Sequence, residues 1–295
     1  MRSLLLALSA TLAACVTPSP VPETLAPASE SIPLQLGIQY QLASAILGDT
    51  REINVWTPPG YDAGREVGVI VYLLDGAADQ DFGHIAGLAD LGALSWTYEP
   101  MIIVGIQTKD RQHELTPAAT DQRFTEGFPQ AGGATDFRRF LAEEVRPFIE
   151  ARYRPAPRTV LMGESLAGLF VTDTLLEQPR LFDDYIAISP SLWWDAGRIA
   201  AEAPGRLAEH NLSGRRLYMA MANEGGTMQS GIEVFRAAIG AAGQDGFEFI
   251  FSDKSATESH ATIYHGEALA AFRRFYPLPP WNGETPWWMT PDGTP

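Results

Sequence analysis

The stretch Thr159-Val160-Leu161-Met162-Gly163-Glu164-Ser165-Leu166-Ala167-Gly168 decides the fold. An apolar strand over Thr159–Met162 meets a helix that begins at Ser165 and reaches about Glu177. A nucleophile on so tight a strand-to-helix turn needs small residues two positions away on each side, because the backbones crowd there. Gly163 and Ala167 occupy those two positions. We interpret Ser165 as that nucleophile, with a serine that merely caps the helix as the alternative.

Strands and helices alternate on both sides of this turn, from Gln35 onward. Val67–Leu74 is a nearly unbroken apolar run rich in β-branched residues, which is typical of a strand buried on both faces. Helices between strands imply right-handed crossovers and a mainly parallel sheet. We therefore predict one α/β domain over residues 35–276. Its other predicted strands are Ile53–Trp56, Met101–Ile106, Tyr185–Ile188, Leu217–Ala222 and Phe247–Phe251, and its other predicted helices are 135–153, Ile232–Ala242 and Tyr264–Phe275.

A serine hydroxyl is a poor nucleophile and needs a base, usually a histidine oriented by a carboxylate. In a fold of this kind the chain order is nucleophile, acid, histidine. His260 follows the last predicted strand and precedes the final helix, so we predict it to be the general base. Glu224 comes just after the strand Leu217–Ala222 and is the predicted acid. Asp195, after the preceding strand, is an alternative acid.

Negative charge on the reacting carbonyl oxygen requires two backbone N–H donors. Leu166, directly after the nucleophile, is one predicted donor. Ala77 is the other, with Gly76 letting the backbone turn to aim it. Residues around these positions are predicted to contact substrate: Asp75, Gly76, His84, Glu164, Trp193 and Trp194. For the two tryptophans, packing in the core is an equally good interpretation.

Four ordered blocks resemble the family of α/β-hydrolases named Putative esterase, which includes periplasmic siderophore (enterobactin trilactone) esterases and is related to esterase D-like enzymes. The blocks are 73–76 (LLDG), 114–117 (ELTP), 163–170 (GESLAGLF) and 188–195 (ISPSLWWD), and the similarity covers about Ile38 to Tyr276. The resemblance implies an α/β-hydrolase fold and a cofactor-free hydrolase with a Ser165–His260 pair. The third member varies in the family. Glu164 and Ala167 depart from it, since many relatives have histidine and glycine there.

The first residues resemble an export signal. A basic start leads into the apolar run Leu4–Ala14, which is too short to span a bilayer. The run ends at Cys15, the only cysteine, in a pattern that resembles a bacterial lipobox. We predict a signal peptide over 1–14, a lipidated Cys15 with a Pro-, Ser- and Thr-rich tether over 15–34, and a Pro- and Trp-rich tail over 277–295. The implied location is the periplasmic side of the envelope, as an outer-membrane lipoprotein.

The charge composition and the motifs limit the partners and cofactors that we expect. With 36 acidic and 21 basic residues in 295, the formal net charge is −15, which disfavours nucleic acid as a partner. No metal-binding, Walker or dinucleotide motif is present, so we expect neither metal nor cofactor.

The predicted function is hydrolysis of a carboxylic ester, including siderophore-type lactones, by an acyl-enzyme on Ser165. The alternatives are a carbohydrate acetyl or feruloyl-type esterase or an acyltransferase, and a non-catalytic surface lipoprotein of the same fold. The sequence predicts no oligomeric state.

Overall fold

A twisted eight-stranded sheet forms the centre of the computed structural model, which describes residues 34–279 and Gly283. By its contacts the chain divides into two units, Met1–Gln35 and Leu36–Pro295. Only Leu34 and Gln35 of the first unit are described, and every element below belongs to the second. The predicted signal peptide, Cys15 and nearly all of the predicted tether and tail lie outside the described residues.

The strands follow one another in the order β1-β2-β4-β3-β5-β6-β7-β8. β1 pairs antiparallel with β2 and β2 antiparallel with β4, while the remaining neighbours are parallel. Parallel strands deliver their carboxyl ends to one edge of a sheet, so the segments after β3 and after β5 to β8 collect there. The strands are β1 (Ile38–Ala43), β2 (Thr50–Trp56), β3 (Val69–Leu73), β4 (Met101–Ile106), β5 (Arg158–Glu164), β6 (Asp184–Ile188), β7 (Arg216–Met221) and β8 (Glu248–Asp253).

Helices cover both faces of the sheet. A π-helical turn, Leu141–Val145, lies between α4 and α5, and a short 3₁₀ turn, Trp194–Gly197, precedes α7. The helices are α1 (Phe82–Leu94), α2 (Arg111–Glu114), α3 (Gln122–Gly127), α4 (Ala134–Phe140), α5 (Arg146–Glu150), α6 (Leu166–Glu177), α7 (Arg198–Glu209), α8 (Gly226–Ala242) and α9 (Ile263–Phe275). Among the described residues, no helix is both long enough and apolar enough to cross a membrane.

Two apolar clusters hold these layers together, one on each face of the sheet. Side chains of α4 to α8 pack on one face, and those of α1 and α9 on the other. β3 is buried at all five positions, as its unbroken apolar sequence predicts for a strand covered on both sides. The predicted α/β-hydrolase fold, with its mostly parallel sheet flanked by helices, is confirmed.

Four helices, α1, α2, α3 and α7, were not predicted, and the two longer ones, α1 and α7, contain residues that disfavour helix. α1 contains Gly83, Gly87 and Gly92, which individually disfavour helix. At Gly92 a Cβ would lie 2.2 Å from Tyr98 Cζ, so the glycine makes room for a buried ring. α7 carries Pro204 inside it. The predicted helix over 135–153 begins instead after Gly133 and is interrupted by the π-helical turn.

Candidate active site

Ser165 stands between β5 and α6 in a backbone conformation that only glycine adopts readily. Its φ and ψ are 61° and −118°, close to the first central position of a type II′ turn. Hydrogen bonds fix the strained residue on both sides: its N–H donates to Ile188 O at 3.0 Å, and its carbonyl accepts from the N–H groups of Leu169 and Ser191 at 2.9 and 3.0 Å. A non-glycine residue persists in such a conformation only where its surroundings impose it, which occurs mostly at functional sites.

The crowding expected at this turn is present. A Cβ on Gly163 would lie 2.5 Å from Ala167 Cβ and 2.8 Å from its carbonyl carbon. On the other side of α6, a Cβ on Gly168 would lie 3.0 Å from Ile188 O. The small residues thus allow α6 to begin directly above the end of β5. Its first N–H groups, Leu166 among them, have no carbonyl one turn earlier in the helix and are placed to act as donors to an anion.

The structure brings Ser165, His260 and Glu224 into one hydrogen-bonded chain. His260 Nε2 lies 3.0 Å from Ser165 Oγ, and His260 Nδ1 lies 3.1 Å from both carboxylate oxygens of Glu224. The Glu224 side chain is 4% exposed, whereas His260 is 42% exposed. A buried carboxylate on Nδ1 holds the hydrogen there and leaves the Nε2 lone pair facing the serine hydroxyl. Ser191 Oγ, at 3.3 Å from Ser165 Oγ, is a further polar neighbour.

Asp195 does not take part in this chain, so the alternative assignment of the acid is wrong. Its buried carboxylate accepts hydrogen bonds from the N–H groups of Thr120 and Asp121 and from the Thr120 hydroxyl, and it pairs with Arg198. These bonds hold the pKa of Asp195 below its usual value despite burial, which acts in the opposite direction. The residue ties the segment after β6 to the loop before α3.

Glu164 places a second carboxylate on the same histidine. Its Oε1 lies 3.2 Å from His260 Nε2, the nitrogen that also faces Ser165. Burial raises the pKa of Glu164 from 4.5 to about 7; Asp81 and Asp75 add to the rise, and His260 and Arg111 oppose it. The carboxyl group therefore changes its charge near neutral pH.

A polar cavity of about 290 Å³ opens beside Glu164. Arg111 Nε donates to both carboxylate oxygens of Asp75, at 3.1 and 2.9 Å, and so offsets one of its negative charges. Burial raises the pKa of Asp81 to about 6, and the nearby Asp75 raises it further. The cavity is lined by Asp75, Gln80, Asp81, Arg111 and Glu164. Sequence analysis missed Gln80, Asp81 and Arg111, although all three follow the predicted ends of two buried strands.

The loop after β3 differs from the prediction in two respects. Asp75, not Gly76, takes the left-handed conformation, with φ of 50°. Gly76 is needed for space, because a Cβ there would lie 2.3 Å from Gly105 Cα; its N–H and carbonyl bond to Ile106 and Asn54 and do not face substrate. The N–H of Ala77 donates to Gln80 Oε1 at 3.0 Å. Its role as an oxyanion donor stays a prediction, and it requires that side chain to give way.

His84 and Trp194 are not among the residues that line the cavity; the contact predicted for His84 stays a prediction, whereas burial of Trp194 contradicts its predicted contact with substrate. The His84 ring packs 3.9 Å from the ring of His265 on α9, and burial together with His265 lowers its pKa to about 4. Trp194 is 1% exposed and donates from Nε1 to Pro117 O at 3.0 Å, so it belongs to the core. Trp193 is half-buried against Phe124 and Phe128, and its contact with substrate stays a prediction.

In the part of the chain that the structure describes, no group of three or more His, Cys, Asp or Glu side chains is arranged to hold a metal ion. The acidic residues that line the cavity lie in the β3–α1 loop and at the end of β5, and α2 contributes Arg111. The chemistry that this arrangement can perform is that of a hydroxyl nucleophile with a histidine base.

Comparison with known proteins finds similarity to esterases. A family model described as Putative esterase matches residues 44–272. The "Siderophore enterobactin esterase" of Emericella nidulans is 35% identical over 164 residues, which is 50% of this chain and 54% of that protein. The "Ferri-bacillibactin esterase BesA" of Bacillus subtilis is 37% identical over 109 residues, 32% of this chain and 38% of that protein. The match to these curated relatives thus spans about half of their length or less.

Among solved structures, an "IroE-like serine hydrolase" from Shewanella oneidensis superimposes with a TM-score of 0.75. The superposition covers 81% of this chain and 80% of that one at 26% sequence identity. The two chains therefore share their fold over about four fifths of their length.

Proposed function

The chain belongs to the Putative esterase family, and from that membership we propose that it is a serine hydrolase of carboxylic esters. The observation that carries the proposal is the hydrogen-bonded chain Ser165–His260–Glu224, with Ser165 on a strained turn at the carboxyl end of β5. A fold kept only for binding needs neither that strain nor that alignment, so the non-catalytic interpretation is not favoured.

Acylation follows from the geometry. Ser165 Oγ attacks the ester carbonyl carbon as its proton passes to His260 Nε2, and the carbonyl π electrons move to the oxygen. Glu224 holds the Nδ1–H and stabilises the imidazolium that forms. The N–H of Leu166, at the positive end of α6, stabilises the oxyanion. When the electrons return, the bond to the alcohol oxygen breaks and that oxygen takes the Nε2 proton.

Deacylation repeats the sequence with water. His260 Nε2 accepts a proton from water as the water oxygen attacks the acyl carbon, and the proton then returns to Ser165 Oγ as the acyl–oxygen bond breaks. The products are an alcohol and a carboxylic acid. No cofactor is consumed, since proton transfers and a nucleophile suffice for every step.

The proposed substrates are ester-linked siderophores. The proposal is supported by the names of two relatives, which describe esterases of enterobactin and of ferri-bacillibactin. The polar cavity beside Glu164 can accept hydrogen-bond donors or cationic groups next to the scissile ester. Its acidic lining predicts that anionic substrates bind better when Asp81 and Glu164 are protonated.

A direct test uses the full chain with p-nitrophenyl esters, a catecholate trilactone, a hydroxamate ester siderophore, an acetylated sugar and a feruloyl ester, with products identified by mass spectrometry. We expect the siderophore esters to be cleaved with the highest kcat/KM. Ser165→Ala should lower turnover by about a thousandfold or more. Wild-type turnover in that variant contradicts the nucleophile assignment. Faster cleavage of the sugar or feruloyl ester contradicts the substrate class.

We also propose that the chain is an exported lipoprotein. The support is the apolar run Leu4–Ala14 followed by the lone Cys15, with a Pro-, Ser- and Thr-rich stretch before the domain. Mass spectrometry of the protein from a bacterial envelope should show residues 1–14 removed and a diacylglyceryl group on Cys15. Cys15→Ser should remove the lipid and release the protein from the membrane fraction. Recovery of wild-type protein with an unmodified Cys15 contradicts the proposal.

A further inference from the structure

His260 carries a carboxylate on each ring nitrogen, and the two carboxylates cannot have the same role. Glu224 is 3.1 Å from Nδ1 and accepts the hydrogen there. Nε2 is 3.0 Å from Ser165 Oγ and 3.2 Å from Glu164 Oε1. Nε2 of a neutral imidazole has one lone pair and can accept one hydrogen bond at a time. Ser165 and Glu164 therefore meet at the same acceptor.

The charge of Glu164 decides what happens at that acceptor. When it is protonated, its hydroxyl can donate to the Nε2 lone pair, and Ser165 then loses its base. When it is ionised, two lone pairs face each other across 3.2 Å in the resting enzyme, so Nε2 remains with Ser165. After Ser165 has given up its proton, Nε2–H can donate to the ionised Glu164. Charge-assisted N–H···O⁻ bonds are usually about 2.7–2.9 Å long, so a contact at 3.2 Å shares this hydrogen without capturing it.

We propose that Glu164 is a positioning residue that acts through His260: its ionised form stabilises the imidazolium made during attack, and its protonated form withdraws Nε2 from Ser165. The proposal deepens the esterase function and rests on it. Both effects have the same sign, so the ester-cleaving rate rises as Glu164 loses its proton.

The surroundings of Glu164 bring its ionisation close to neutral pH. Burial beside the cavity disfavours the charged carboxylate, and its pKa rises to about 7. Neighbouring elements contribute both signs of charge: Asp81 and Asp75 raise the pKa of Glu164, and His260 and Arg111 lower it. The titratable and charged groups that face Glu164 are His260, Arg111, Asp75 and Asp81, with the Tyr264 hydroxyl of α9 beside them.

The experiment compares the pH dependence of kcat/KM for the full wild-type chain and Glu164→Gln on one p-nitrophenyl ester. Glutamine keeps the shape and the ability to donate to Nε2 but does not ionise. We expect the two enzymes to have similar kcat/KM at pH 5.5 and the wild type to be about tenfold faster at pH 8.5. Asp79→Asn is the matched control, because Asp79 is exposed and has no contact with His260 among the described residues. It should follow the wild-type profile.

A ratio of wild type to Glu164→Gln that is constant across this pH range overturns the proposal, since a purely structural effect would lower the rate equally everywhere. A second measurement needs no ester: NMR titration of the His260 imidazole should show two steps in the wild type, one of which disappears in Glu164→Gln. A single step in the wild type also overturns it. If the two steps appear but no ester is cleaved at any pH, the esterase proposal fails and the coupling stands.

Discussion

Replacing Ser165 by glycine should give a more stable protein than replacing it by alanine, and both replacements should abolish ester cleavage. At φ 61° and ψ −118°, Ser165 occupies a conformation that costs a non-glycine residue about 1–3 kcal/mol. Glycine adopts it without strain but loses about 0.5–1 kcal/mol more backbone entropy on folding. The net gain should be about 1 kcal/mol relative to alanine at the same position.

Ser165→Ala is the matched control because both variants lose the hydroxyl contacts to His260 and Ser191 while keeping the backbone bonds to Ile188. Urea unfolding of both gives the difference in free energy, and thermal melting should show the glycine variant about 2–4 °C higher. Both should be inactive towards p-nitrophenyl esters. A glycine variant that is no more stable than the alanine variant refutes the claim that the turn stores strain.

Three further outcomes follow from the contacts. Gly163→Ala places a Cβ 2.5 Å from Ala167 Cβ, so it should lower the free energy of unfolding in urea by about 1–3 kcal/mol and remove most of the ester turnover. Gly87→Ala is the control: a Cβ there has nothing within 4 Å, so this variant should be no less stable than the wild type. Asp195→Asn should cost about 2–3 kcal/mol of stability, while a fluorophosphonate probe still labels Ser165. Because the pKa of Glu164 is higher folded (about 7) than unfolded (4.5), its ionisation destabilises the fold as pH rises between those values. Glu164→Gln should therefore be more stable than wild type at pH 8, by up to about 3 kcal/mol, and equal to it at pH 4; an equal gain at both contradicts the shift.

The sheet and the Ser165–His260–Glu224 chain could be predicted because both depend on local patterns joined by one rule of order. Buried parallel strands are continuous apolar runs, and the predicted Met101–Ile106 strand has the bounds observed for β4. Ser165, Glu224 and His260 lie in the segments that follow β5, β7 and β8, and parallel strands bring those segments to one edge of the sheet. The apolar strand runs, the small residues of the turn and the chain order were therefore enough to predict Ser165, Glu224 and His260 together. The outer two of these residues are 95 positions apart.

Errors arose wherever a residue's role depends on a partner far away in sequence. Gly76 looks like a turn residue, but it is required because β4 passes within contact distance of it at Gly105. Asp195 resembles an acid after a strand, but the N–H groups of Thr120 and Asp121 already bind it. Trp194 is fully buried because its indole N–H finds Pro117 O. The contacts of Asp195 and Trp194 depend on the path of the 117–128 segment, which has no regular periodicity.

Glu164 and Glu224 are the same residue type, but their positions around His260 give them different roles. Glu164 is the last residue of β5 and Glu224 lies just after β7, and both contact His260. Glu224 contacts the nitrogen whose hydrogen stays in place throughout the reaction, so its role there is to orient the imidazole. Glu164 meets the nitrogen that gains and loses the reacting proton, in a cavity that already contains two aspartates. A carboxylate at that point aids the reaction only while it is ionised, and burial together with Asp81 and Asp75 brings that ionisation close to neutral pH.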